Sequence, residues 1–102
     1  MVKIINSNEF NEEIKAGVVF VDFFATWCGP CKILSPIVDE VSEEIKDVKF
    51  IKVDVDESND IAATYNIMSI PTLMIFKDGN LVSKQMGLLP KSALIDFINE
   101  NK

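Results

Sequence analysis

The chain has 102 residues, 48% hydrophobic and 25% charged, with 10 basic against 16 acidic residues and a formal charge of −6. That size and balance describe one soluble globular domain over residues 1–102, and the sign argues against a nucleic-acid or anionic-membrane surface. There is no histidine, which removes Cys–His and Ser–His–Asp nucleophile schemes, and no apolar run approaches the roughly 20 residues of a membrane helix. The start, Met1-Val2-Lys3-Ile4-Ile5-Asn6-Ser7, turns polar too soon for a signal peptide, so a cytoplasmic location is expected.

In chain order, Lys3-Ile4-Ile5 reads as a short strand. Ser7 is the expected N-cap of a helix running to about Lys15, with Gly17 as its stop signal. Val18 to Phe24 is β-branched and aromatic throughout, the pattern of a buried central strand. From Cys31 to about Lys46, Ile33, Leu34, Ile37, Val38, Val41 and Ile45 recur at three- and four-residue steps, which is helical. Pro36 falls inside that helix and should kink it. Val48 to Val55 is a further strand, and Ser58 to Tyr65 a short helix. Thr72–Phe76 and Leu81–Met86 are strands joined by a hairpin turn at Lys77-Asp78-Gly79-Asn80. Pro90 to about Asn99 closes with an amphipathic helix. Alternating strands and helices followed by a hairpin imply right-handed parallel crossovers with two antiparallel strands added. The expected architecture is therefore one mixed sheet with helices on both faces, in the α/β class.

The only two cysteines stand as Cys28-Gly29-Pro30-Cys31, between a strand end and a helix start. A first helical turn has free N–H groups and the positive end of the dipole, which favour a thiolate over a thiol. Residues three apart there lie about 5–6 Å from each other, within reach of a disulfide. Pro30 lacks a donor where the loss costs least, and Gly29 keeps side chains out of a partner's path. As a structural staple, so short a loop would contribute roughly 2 kcal/mol in the chain-entropy model. A zinc site needs about four ligands, against two thiols here. Redox chemistry is the reading these residues favour, with no metal and no cofactor.

Asp22 interrupts an apolar strand on the face of Phe20 and Phe24. It is either a strand-edge carboxylate in water or a buried carboxyl beneath the cysteines, with its pKa raised enough to exchange protons with a thiol. Lys52, on the strand expected beside it, either tempers that charge or is itself solvated. Ile70-Pro71-Thr72 puts a proline at the start of a strand, where composition alone favours a trans bond.

Trp27-Cys28-Gly29-Pro30-Cys31-Lys32 resembles the active-site motif of the thioredoxin family. Val21-Asp22-Phe23, Pro36, Lys52, Ile70-Pro71-Thr72 and Gly87 match that family in order and spacing, so the resemblance covers essentially the whole chain. It implies a central mixed sheet of five strands with four helices. It also implies that Cys28 is an exposed nucleophile, Cys31 a buried resolving thiol and Asp22 a buried acid/base. Lys52, Gly29 and Pro30 would support them, with Pro71 in the cis form facing the disulfide. Trp27, Ile70 and Gly87 would form the apolar surface on which clients dock. The implied partners are disulfide-containing proteins and a thioredoxin reductase that returns electrons to a monomeric carrier. Phe24 stands where many bacterial members have a second tryptophan.

Two other readings differ in what the thiols do. One is a dedicated reductant or oxidant of a single client, set apart by its redox potential. The other is an interaction module whose docking face matters more than its cysteines. A double-serine variant separates them, since only the module would keep its role.

Overall fold

A computed structural model describes residues 2–102. Five strands and four helices alternate as expected: β1 Lys3–Ile5, α1 Ser7–Ile14, β2 Val18–Phe24, α2 Gly29–Glu44, β3 Lys49–Asp54, α3 Asn59–Thr64, β4 Thr72–Lys77, β5 Asn80–Met86 and α4 Lys91–Asn101. The sheet order is β1-β3-β2-β4-β5. β1 and β2 run parallel to β3, whereas β4 is antiparallel to both β2 and β5. This is the mixed α/β sheet that the alternation implied, with the five strands and four helices that the resemblance implied.

β2 lies at the centre, and its apolar run serves two cores, one on each face. Phe20 packs with Leu34, Val38 and Val41 of α2 and with Leu94 and Ile98 of α4. Val19, Val21 and Phe23 point the other way, toward Phe10 and Ile14 of α1, with Ile61 of α3 and Tyr65, its C-cap, packed against that cluster. Period-two alternation therefore decides which helices each side chain meets, and it turns Asp22 toward the α2 face. Phe10 stacks edge-on against Phe76 at 5.8 Å, and Tyr65 does the same at 5.4 Å, which anchors α1 and α3 to β4.

Several boundaries differ from the expectation, each for a local reason. Asn6, not Ser7, caps α1. Its side chain accepts from the Glu9 N–H at 3.1 Å, and the Glu9 carboxylate accepts from the Asn6 N–H at 3.0 Å. The acidic residue three positions after Asn6 closes that box, leaving the Ser7 hydroxyl to bond Asp60 on α3. Helix α2 begins at Gly29 rather than Cys31, because Pro30 fits a first turn and Cys28 takes the cap position. It continues through Pro36, whose ring removes the donor that would have bonded the Lys32 carbonyl. At the hairpin, Asp78 and Gly79 both have positive φ, 50° and 87°, the requirement of a tight turn that matches strand twist. Asp78 also bonds Gly17 twice, accepting its N–H on Oδ1 at 2.8 Å and donating its own N–H to the Gly17 carbonyl at 2.9 Å.

Candidate active site

The site lies where β2 hands the chain to α2. Cys28 is the N-cap of α2, with extended backbone angles, and its Sγ accepts the backbone N–H of Cys31 at 3.2 Å. A sulfur thus takes the place that a serine or aspartate oxygen usually fills at a helix start. Negative charge on that sulfur meets both an N–H donor and the positive end of a 16-residue helix. Cys28 and Cys31 are joined as a disulfide with their α-carbons 5.3 Å apart, the separation of neighbouring residues on one turn. A Cβ placed on Gly29 would meet nothing within 4 Å, so the space above the cysteines is open to another backbone.

The expected contrast between an exposed Cys28 and a buried Cys31 is absent from this oxidised form. Cys28 is 4% exposed and Cys31 3%. The Cys28 sulfur is turned onto the helix end and lies 3.9 Å from the Ile70 carbonyl oxygen, which covers it. The two cysteines differ in direction instead: Cys31 lines the cavity that holds Asp22, while Cys28 sits against the Ile70 loop.

That loop is shaped by a cis Ile70–Pro71 bond. The Pro71 carbonyl accepts the Gly87 N–H at 2.8 Å, and Gly87 has φ +94°, a conformation open to glycine. Trp27, Ile70 and Gly87 come from three separate segments around the disulfide. Trp27 is 68% exposed, and its indole N–H donates to Asp56 Oδ2 at 2.8 Å. Asp56 follows β3, where Asp54 Oδ1 accepts the Asp56 N–H at 2.9 Å and so orders the turn. Met68, before Ile70, Met86, at the end of β5, and Leu88, after Gly87, add further exposed apolar surface.

Beneath the cysteines, Asp22 is 1% exposed, which settles the choice left by the sequence in favour of burial. Its Oδ1 has no hydrogen-bond partner among the described residues. Burial raises its pKa from 3.8 to about 7; the Lys52 ammonium acts against the rise, and the Asp39 carboxylate adds to it. Lys52 pairs with Asp22 across β2 and β3 and is itself buried, so it is not a solvated lysine. Its ammonium is hydrogen-bonded to Ser35 Oγ on α2. Asp22, Cys31, Ser35 and Lys52 share a cavity of about 260 Å³, with Ile4 and Phe24 among its apolar walls.

Sequence reasoning reached the cysteines, Asp22, Lys52 and the proline loop but passed over Ser35, Asp39 and Asp56. Ser35 and Asp39 follow Cys31 at four-residue steps, so a helical reading of polar as well as apolar positions finds them. Asp56 is 29 residues from Trp27 and carries no local signal.

A disulfide closing one helical turn adds little as a staple. Here it joins a sulfur that accepts a backbone N–H at a helix start to a second sulfur that shares a cavity with a buried carboxyl of raised pKa. That combination favours cycling between dithiol and disulfide, and the fold and site together define a thiol–disulfide oxidoreductase.

The sequence profile of the thioredoxin family matches residues 1–100. The chain is 48% identical over 101 residues to a thioredoxin of Chlamydia pneumoniae, covering 99% of each chain. It is 45% identical over 93 residues to a thioredoxin of Bacillus subtilis, covering 90% of this chain and 89% of that one. Among solved structures, a Plasmodium falciparum thioredoxin superposes with a TM-score of 0.92 at 42% identity, covering 97% of this chain and 98% of the other. The chain belongs to the thioredoxin family, and Cys28 and Cys31 are its redox-active pair.

Proposed function

We propose that the protein is a general disulfide reductase in which Cys28, Cys31 and Asp22 divide the chemistry. The Cys28 thiolate attacks one sulfur of a client disulfide; the other client sulfur leaves as a thiolate and takes a proton from solvent. Cys28 and the client are then joined by a mixed disulfide. Cys31 gives its proton to the Asp22 carboxylate and attacks Cys28 Sγ, which expels the second client thiolate and closes the Cys28–Cys31 bond. Two electrons have passed to the client, and a thioredoxin reductase returns two.

The observation that carries this reading is the pairing of Cys31 with an unpartnered, buried Asp22 in one cavity. A carboxyl that titrates near 7 can both take and give a proton at physiological pH. Clients dock on Trp27, Ile70 and Gly87, and Gly29 leaves room for their backbone. The carrier works as a cytoplasmic monomer without a bound cofactor. No helix among the described residues is long and apolar enough to cross a membrane.

Turnover of a generic protein disulfide, coupled to a thioredoxin reductase and its electron donor, tests the reading. Catalytic turnover that is lost when both cysteines become serine supports it. Stoichiometric reduction without turnover, or activity retained in the double-serine variant, refutes it.

A further inference from the structure

On α2, Cys31, Ser35 and Asp39 lie at four-residue steps and so form one stripe facing the sheet. Cys31 and Ser35 open onto the Asp22 cavity. Asp39 Oδ1 accepts the Val2 backbone N–H at 3.0 Å, which keeps that carboxylate on the stripe's far end. On the sheet side, Lys52 is the cross-strand partner of Asp22. The acceptors that line the cavity of this buried ammonium include the Asp22 carboxyl, the Ser35 hydroxyl and the hydroxyl of Thr26. The ammonium is bonded to the Ser35 hydroxyl, and Asp22 Oδ1 is left unpartnered.

We propose that Ser35 is a positioning residue that accepts a hydrogen bond from Lys52, holds its ammonium on α2 and leaves the Asp22 carboxyl free to exchange the Cys31 proton. The inference rests on the acid–base reading of Asp22 given above. Its physical basis is competition for a buried cation. A lysine stripped of water must place its N–H donors on acceptors. A direct ion pair with Asp22 would favour the ionised carboxyl and make it a weaker base for a thiol. A neutral hydroxyl satisfies a donor without that effect, and the ammonium still tempers the buried charge from a distance. The other groups around Asp22 do not substitute for this arrangement. From α2 come Lys32, which is exposed, Asp39, whose charge acts in the opposite sense, and Cys31, the thiol itself. From β4 the facing residue is apolar Leu73, and β1 contributes Ile4 to the cavity wall.

Removing the hydroxyl leaves the unpartnered Asp22 Oδ1, the charged acceptor on the cross-strand neighbour of Lys52, to draw the ammonium. Ser35→Ala suits a helix interior, so the fold is retained, and circular dichroism verifies it. The Asp22 carboxyl is titrated by carbon NMR in the oxidised protein, where the cysteines do not titrate. The comparison covers the natural chain, Ser35→Ala, Lys52→Met and the double variant. In Ser35→Ala the midpoint falls by about one pH unit or more, the effect of an opposite charge brought close. In Lys52→Met it rises, and there Ser35→Ala has no further effect. An unchanged or raised midpoint in Ser35→Ala overturns the proposal. So does an equal fall without Lys52, which would mean that Ser35 acts on Asp22 directly. The acid–base reading is tested apart, by the rate at which Asp22→Asn resolves a mixed disulfide at Cys28. Resolution as fast as in the natural chain defeats that reading, while the titration still reports where Ser35 sends the ammonium.

Discussion

Replacing Asp22 by asparagine should stabilise the oxidised protein, and the gain should grow with pH. The carboxyl has a pKa of 3.8 in the unfolded chain and about 7 in the folded one. Between these values the folded state binds more protons than the unfolded state. The group's relative contribution to stability is therefore fully present below 3.8, declines as pH rises, and is lost once pH passes the folded value. Integrating that difference gives a penalty of about half a kcal/mol at pH 4 and about 4 kcal/mol at pH 8, at 1.36 kcal/mol per pH unit. Asparagine keeps the shape and cannot ionise. Its amide has the same lack of partners at both pH values, so that cost cancels in the comparison. The variant should thus gain roughly 3–4 kcal/mol more at pH 8 than at pH 4 relative to the natural chain. Urea unfolding of both oxidised proteins at the two pH values measures this. Equal effects at both, or a destabilisation that deepens with pH, would refute a buried and unpartnered carboxylate. The natural chain keeps a group that burdens it at neutral pH, as expected where a buried acid serves chemistry.

Other outcomes follow from the same geometry. Cys31→Ser should accumulate a stable mixed disulfide with a client at Cys28, whereas Cys28→Ser should trap none; mass spectrometry after acid quench reads both, and rapid alkylation of Cys31 ahead of Cys28 would reverse the assignment. Asp56→Ala removes the acceptor that orients the Trp27 indole, so KM for a protein disulfide should rise about two- to tenfold, equivalent to one hydrogen bond of roughly 0.5–1.5 kcal/mol, with kcat little changed. Leu34→Ala opens a cavity at a fully buried position between α2 and the sheet and should cost about 2–5 kcal/mol in chemical denaturation, without altering the Asp22 titration.

Strand β2 was legible to its terminal residues because its β-branched and aromatic run leaves no competing helical period, whereas β5, with Val82 as its one β-branched residue, was placed by the hairpin turn before it. Helix starts were less so. Asn6 and Ser7 are both good caps, and only the reach of Glu9 back to Asn6 decides between them. Gly29-Pro30 looks like a turn in isolation, yet both residues fit the first turn of α2 once Cys28 supplies the cap. The burial of Asp22 follows from a central strand, but which strand is central is a property of the whole sheet. Cys28's exposure depends on the Ile70 loop, 42 residues away, and no local pattern reports it.

The parts of the active site are spread unevenly along the chain. Both cysteines and Asp22 lie in the first third, whereas Pro71 and Gly87 belong to the last third. The Ile70–Pro71 loop, whose Ile70 carbonyl lies over Cys28, reaches it only through β4, which takes its place by pairing antiparallel with β2, and Gly87 arrives only when β5 joins β4. During synthesis, then, the thiols exist well before anything can cover them or present a client to them. A ribosome-bound chain ending before Thr72 carries two cysteines at a nascent helix start and no second wall. Its reactivity toward disulfides would be that of a peptide, and specificity for folded partners would appear abruptly as the final hairpin closes. Helix α4 still has to follow, since its Leu94 and Ile98 complete the core around Phe20, so the thiols would be covered before the fold is finished.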